Sequence, residues 1–162
     1  MHLMALLKIL ALSALANGMP LAAKKIFGPR FSRPLDGGMT LADGRPLFGP
    51  SKTVRGLLAS VLITTACAPL IGLSASIGAI AAVAAMVGDL LSSFVKRRVN
   101  FPPSSQAVGL DQVPESLFPM LACGHALALT TVDVVLGVAI FFAGELILSR
   151  LLYRLHLRDR PY

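Results

Sequence analysis

Charged positions divide the sequence into long apolar blocks. Residues 56–88 run for 33 positions without one charge. One membrane crossing needs about 20 residues, so this block is too long for a single span and short for two unless their ends are polar. Pro69, Gly72, Ser74 and Ser76 lie near its middle, where a tight turn would place them. The pattern predicts a helical hairpin, one helix over about 54–73 and the next over about 75–94. Both open ends then carry basic residues, Arg55 on one side and residues 96–98 on the other. Upstream, residues 3–21 are apolar apart from Lys8, Asn17 and a few small residues. Lys8 lies within the apolar run rather than ahead of it, so a retained helix over about 3–23 fits better than a cleaved signal peptide. Downstream, Asp133 and Glu145 are the charges between 116 and 149. Thr130 and Thr131 break that stretch into expected helices over about 116–130 and 132–155.

Composition turns these blocks into a fold class. Hydrophobic residues make up 55% of the chain and charged residues 14%, with a mean hydropathy of +0.74. A chain this apolar cannot cover a water-facing surface, nor is it disordered. The expectation is an all-α integral membrane protein, one polytopic domain of about five transmembrane helices with loops at 24–53 and 95–115. The net charge of +7 comes without Trp and with two Tyr, so no aromatic surface accompanies it for stacking nucleic-acid bases. Residues 24–55 hold seven Lys or Arg, residues 96–98 hold three, and the tail from Arg150 holds four. Five crossings put all three groups on one face, which the positive-inside rule makes cytoplasmic. Cys67 and Cys123 lie in apolar stretches and lack metal-site spacing.

Two loops then carry the candidate chemistry. In the first, Gly and Pro alternate with Phe27, Phe31, Leu35, Leu41, Leu47 and Phe48, too many apolar anchors for a flexible linker. The steps Asp36–Gly37 and Asp43–Gly44 predict turns or a small hairpin. Lys52, Thr53 and Arg55 beside glycines offer charge and donors for phosphate. A P-loop is excluded, because Gly49 stands three residues before Lys52 rather than at the required spacing. Near the end of the third helix, Asp89 lies inside the apolar span, and Ser92 or Ser93 and Lys96 follow on its face. An ionisable residue within a membrane span points to function, while pairing with a nearby Lys or Arg for packing is the other reading. Asp111, across one short loop, supplies a second carboxylate for a divalent cation.

The stretches A-N-G-M-P, P-L-D-G-G, D-G-R-P-L-F-G, K-T-x-R-G, G-D-x-x-S-S-F-V-K-R-R and L-D-Q occur in this order. Together they resemble the CDP-archaeol synthase family, CTP-dependent cytidylyltransferases that act on a lipid phosphate. More distantly the chain is similar to CDP-diacylglycerol synthases, though it has P-P-S-S-Q-A-V-G where those carry P-G-H-G-G. The resemblance implies Asp89 and Asp111 as ligands of Mg²⁺, with Lys96 beside them in the catalytic set. It implies Asn17, Asp36, Asp43, Lys52, Thr53, Arg55, Ser93, Arg97, Arg98 and Gln112 as substrate-binding residues. The implied partners are CTP and a membrane lipid phosphate, with no nucleic acid and with a homodimer permitted by the Gly- and Ala-rich third helix. The implied location is the cell membrane, the site facing the cytoplasm. The competing expectation is a non-enzymatic transporter or assembly subunit, which would place its polar groups near the bilayer midplane.

Overall fold

The computed structural model describes residues 2–154; the basic tail beyond Arg154 and the last residue of the expected fifth helix lie outside them. Among the described residues the fold is all-α, with five α-helices and two isolated antiparallel bridges in the first loop. Helix α1 is Leu3–Phe27, α2 is Val54–Cys67, α3 is Ala75–Arg98, α4 is Gln112–Gly124 and α5 is Thr131–Arg154.

Local chemistry sets these limits. Thr53 caps α2 by accepting the Gly56 N–H, and Ser74 caps α3 by accepting that of Ile77. Between the two helices α2 tightens into a 3₁₀ turn, Ala68–Ile71, with Pro69 in its opening residues and Gly72 left-handed at its end. The expected helix over 54–73 is therefore a helix plus a tighter turn. Thr130 and Asp133 cap α5 reciprocally: the Asp133 carboxylate takes the Thr130 N–H and hydroxyl, and Thr130 takes the Asp133 N–H. The fully buried Asp133 also accepts the His2 N–H, which ties the start of α1 to the start of α5.

Among the described residues four segments are long and apolar enough to cross a membrane: α1, α2 with its 3₁₀ turn, α3 and α5 as far as Leu151. The fourth helix differs most from expectation. It spans Gln112–Gly124 rather than 116–130, a rise of about 20 Å against a hydrocarbon core of about 30 Å. Its start moves earlier because the Gln112 side chain takes the Gly109 N–H and the Asp111 side chain takes that of Ala107. Its end moves earlier because the chain closes a turn there, the Leu129 N–H reaching Gly124 and Ala128 adopting φ +52. Two other limits shift as well. Helix α1 runs to Phe27 and α3 to Arg98, so Lys24, Lys25 and residues 96–98 are helical rather than loop.

Small residues draw the bundle together. Gly78, Ala81, Ala82 and Ala85 of α3 are buried, and a Cβ on Gly78 would stand 2.6 Å from the Ala68 Cβ. This stripe, which by sequence could serve a dimer, packs inside the chain against α1 and α2. Gly137 of α5 plays the same part against Met120 and Leu6. Leu6, Ile9, Leu12, Met120, Cys123 and Phe141 form the main core. Large apolar side chains stay outside: Leu70 is 82% exposed, Ile147 68% and Val135 66%. Such a surface suits lipid and not water.

Candidate active site

The loops and polar side chains gather at the end of the bundle where α1 and α3 finish and α2 and α4 begin. The first loop is a folded strap. Leu35 N–H donates to Lys52 (2.7 Å) and Val54 N–H to Arg33 (3.1 Å), which pins its two ends together. Asp36 organises its interior, accepting N–H bonds from Gly38, Phe48 and Gly49, each at 3.0 Å. Partial burial would raise its carboxyl, but these three donors outweigh that and hold it below the usual carboxylate range. Asp43–Gly44 forms the tip of a minimal hairpin, Thr40 bridging Pro46, as the sequence suggests. The Arg45 N–H and then the Arg98 guanidinium hold the Asp43 carboxyl below its ordinary value.

The second loop, 99–111, descends along α3 instead of leaving it. Lys96 Nζ donates to the Ser105 carbonyl (2.9 Å), and one turn deeper the Ser92 hydroxyl donates to that of Leu110 (2.6 Å). One turn deeper still, Gly88 meets the Pro114 backbone so closely that a Cβ would stand 2.4 Å from its carbonyl oxygen. Irregular backbone is tolerated within a membrane when protein groups satisfy it. The polar face of α3 does so here.

This zipper delivers the acidic residues. Asp89 lies nine residues before the end of α3, about 14 Å along the axis. Lys52 Nζ stands 2.5 Å from both of its carboxylate oxygens. Burial pushes the Lys52 ammonium down, but the charge and hydrogen bond of Asp89, joined by the Glu115 and Asp111 charges, together hold it above the ordinary lysine value. The Glu115 carboxyl, from the first turn of α4, lies within hydrogen-bonding reach of Asp89, and Glu145 of α5 is near enough to act on it electrostatically. Beside them Lys96 pairs with Asp111 at 2.7 Å. Pro20, Leu35, Ser51, Lys52, Thr53, Gly56, Met86 and Asp89 line a small cleft between α1, α2 and α3.

The candidate residues divide by what they touch. Asp89, Lys52, Lys96 and Asp111 form one polar cluster, with each expected metal carboxylate paired to a lysine. Among the described residues, no three His, Cys, Asp or Glu side chains are arranged to hold a metal ion. Arg55, Arg97 and Arg98, expected at phosphates, instead bond main-chain carbonyls. Arg55 donates to Gly28 and Arg30, and Arg97 to Phe101 and Pro102. Arg98 donates to Pro46 and to both Asp43 oxygens while lying over the Phe94 ring. Thr53 is engaged as a helix cap. Ser93 is buried, and its neighbour Ser92 is the one that ties down the second loop. Gln112 is fully buried with its amide nitrogen unbonded, as is that of Asn17, one helical turn before the cleft residue Pro20. Glu115 is absent from the sequence-derived set. Its spacing of four from Asp111, just ahead of an apolar run, was the available signal.

The sequence model of the CarS-like CDP-archaeol synthase family matches residues 3–162. The chain belongs to that family. It is 35% identical to the CDP-archaeol synthase of Hyperthermus butylicus over 136 residues, covering 75% of this chain and 77% of that protein. It is 43% identical to that of Pyrococcus furiosus over 89 residues, which spans about half of each, 49% and 53%. A solved structure reported as an intramembrane enzyme for archaeal membrane lipids biosynthesis superposes with a TM-score of 0.64 at 33% identity. That match covers 85% of this chain and 90% of the solved one. Family and neighbour agree with the fold derived above, an all-helical integral membrane protein.

Proposed function

We propose that the protein is a CTP-dependent cytidylyltransferase that converts a membrane glycerolipid phosphate to a CDP-lipid. The observation that carries this reading is the Lys52–Asp89 pair with Glu115 beside it, set at the loop-bearing end of the bundle beneath two folded loops. A lipid phosphate oxygen attacks the α-phosphorus of CTP, the new P–O bond forms, and pyrophosphate leaves with the electrons of the broken one. The attacking phosphate is already ionised near neutral pH, so the protein supplies no nucleophile. Its contribution is positioning and charge neutralisation.

Mg²⁺ suits a pair of the donors present. Asp89 and Glu115 offer hard carboxylate oxygens, and two carboxyl groups that close need a proton or a cation between them. Asp111 is held by Lys96 and would join only on release from it. When bound, the ion draws negative charge from the phosphate oxygens. Lys52 neutralises Asp89 and is placed to turn toward the triphosphate. Lys96 stands ready to do the same from Asp111. Arg55, Arg97 and Arg98 hold the loops around the nucleotide rather than the nucleotide itself. The cleft opens at the basic end of the bundle, which we assign to the cytoplasm, where soluble CTP and membrane-bound lipid can meet. A transporter would gather its ionic groups at the midplane; here the Lys52–Asp89, Lys96–Asp111 and Arg98–Asp43 ion pairs all lie at the loop-bearing end.

The test uses purified protein, Mg²⁺, an ether-lipid phosphate and CTP labelled at either the α- or the γ-phosphorus. The α-label is expected in solvent-extractable lipid and the γ-label in pyrophosphate. Label from γ-CTP in the lipid would mean a kinase, and no lipid label with either would remove the reading.

A further inference from the structure

The turn that follows α1 takes no part in this chemistry, yet it is firmly held. Gly28 ends the helix at φ +55, the Arg30 N–H donates to Phe27 (3.1 Å), and the Ser32 hydroxyl donates to Pro29 (2.8 Å). Arg55, in the first turn of α2, donates to the Gly28 and Arg30 carbonyls. Phe31 itself takes φ +56, a conformation that bulky side chains rarely adopt.

This tethered turn presents apolar surface outward. Ile26 is 73% exposed and Phe31 75%, and the Phe27 and Phe31 rings meet edge to face with centroids 6.4 Å apart. Lys24, Lys25, Arg30 and Arg33 stand around them, all exposed, and no acidic residue precedes Asp36. The turn lies at the end of a membrane span. Helix α1 rises about 38 Å against a hydrocarbon core of about 30 Å, so its last turns emerge among the lipid headgroups. Bare aromatic rings at that level, ringed by cations, match an anionic leaflet surface: rings at the acyl boundary, ammonium and guanidinium groups on lipid phosphates.

We propose that Ile26, Phe27 and Phe31 dip into the leaflet beside α1, and that Lys24, Lys25, Arg30 and Arg33 gather anionic lipid headgroups there. This docking surface is separate from the cleft at Asp89. Arg55 links it to the strap, because the guanidinium that holds the turn belongs to the helix that begins directly after Lys52 and Thr53.

The chain contains no Trp, so Phe31→Trp creates a single fluorescent reporter with an aromatic ring kept in place. The full chain carrying it is reconstituted into phosphatidylcholine and into phosphatidylglycerol vesicles. Blue-shifted emission is expected, quenched most by lipids brominated near the head of the acyl chain and little by aqueous iodide. Emission typical of water and quenched by iodide in both vesicles would overturn the insertion. Phe27→Trp gives the same readout should Phe31→Trp fail to fold. Neutralising all four cations to Gln in the Phe31→Trp background tests the charge half. Each cation near an anionic surface contributes roughly fivefold. Preference for spin-labelled phosphatidylglycerol over phosphatidylcholine should therefore fall at least that much, with the Trp signal in phosphatidylcholine retained. Unchanged preference would remove the lipid-gathering role. None of these measurements involves CTP, so they stand apart from the proposed catalysis.

Discussion

Asp89 has two jobs in this structure, and they can be separated. It balances the Lys52 ammonium, and in the proposed reaction it also holds the cation. Asp89→Asn should therefore cost stability, of order 3 kcal/mol, because a largely buried ammonium loses its partner. It should abolish cytidylyl transfer as well. The double variant Lys52→Met with Asp89→Asn removes both charges, so its melting temperature in detergent should return toward that of the parent while transfer stays absent. Recovery of transfer in the double variant would limit Asp89 to a structural counter-ion. Lys52→Met alone frees the Asp89 carboxylate, and nucleotide-free Mn²⁺ affinity by electron paramagnetic resonance should rise; an unchanged affinity would place the cation elsewhere. Asp89 was legible from sequence because a charge in an apolar span stands out. Glu115 was not, because it follows a polar loop and looks like an ordinary helix-start acid. The three arginines meet main-chain carbonyls in the structure, an arrangement the sequence could not show, because guanidinium groups bond carbonyl oxygen and phosphate oxygen alike.

At the scale of elements, the short α4 and the descending second loop are one device. The loop runs down α3 as far as Ser92, so α4 starts deep, its first turn meets Gly88, and Glu115 comes beside Asp89. Gly88→Ala should break this. The added Cβ meets main-chain atoms of Pro114 and Glu115 at 2.4–2.9 Å, and backbone gives way less readily than side chains. A loss of about 1–3 kcal/mol or more is expected, with transfer falling further than stability accounts for. Gly18→Ala in α1 is the control: its Cβ meets nothing within 4 Å, so unchanged or slightly raised stability is expected. Equal effects in both variants would dismiss the close approach. No hydrophobic period marks residues 99–111, which is why sequence placed the start of α4 four residues late. The first-loop strap depends instead on a titrating group. The folded Asp36 carboxyl sits below its unfolded value near 3.9, so its contribution is intact above that pH and disappears as pH falls through the folded value. Hydrogen exchange at the Phe48 and Gly49 amides should accelerate only below about pH 4 in the parent. In Asp36→Asn it should be fast throughout; slow exchange there would leave the strap without its organising carboxylate.

At the scale of the whole molecule, the helix order places two sets of connections at opposite ends. The α2–α3 turn, the α4–α5 turn and the start of α1 share one end, where the His2–Asp133 bond joins α1 to α5. Both long loops share the other. The charge follows this division: residues 24–55 and 96–98 carry ten Lys or Arg at the loop-bearing end, and Lys8 near Gly72 represents the opposite one. The hairpin over 54–98 and the number of helices were readable because apolar length and charge position report the bilayer directly, whereas four described helices rather than the expected five are long and apolar enough to cross it. The inward path of the second loop was not, since it depends on main-chain hydrogen bonds that any polar sequence could make. Because Lys and Arg near short loops are retained in the cytoplasm, the ten-to-one bias predicts the orientation of every crossing. A cysteine introduced at the exposed Met39 should resist a membrane-impermeant maleimide in intact cells and react in inverted vesicles. One at Ser76, by the opposite turn, should do the reverse. Cys123 is buried, and Cys67→Ser clears the half-buried native thiol from the background. Labelling of Met39→Cys from outside intact cells would turn the molecule over. The cleft would then face away from cellular CTP, and the proposed reaction could not proceed in that membrane.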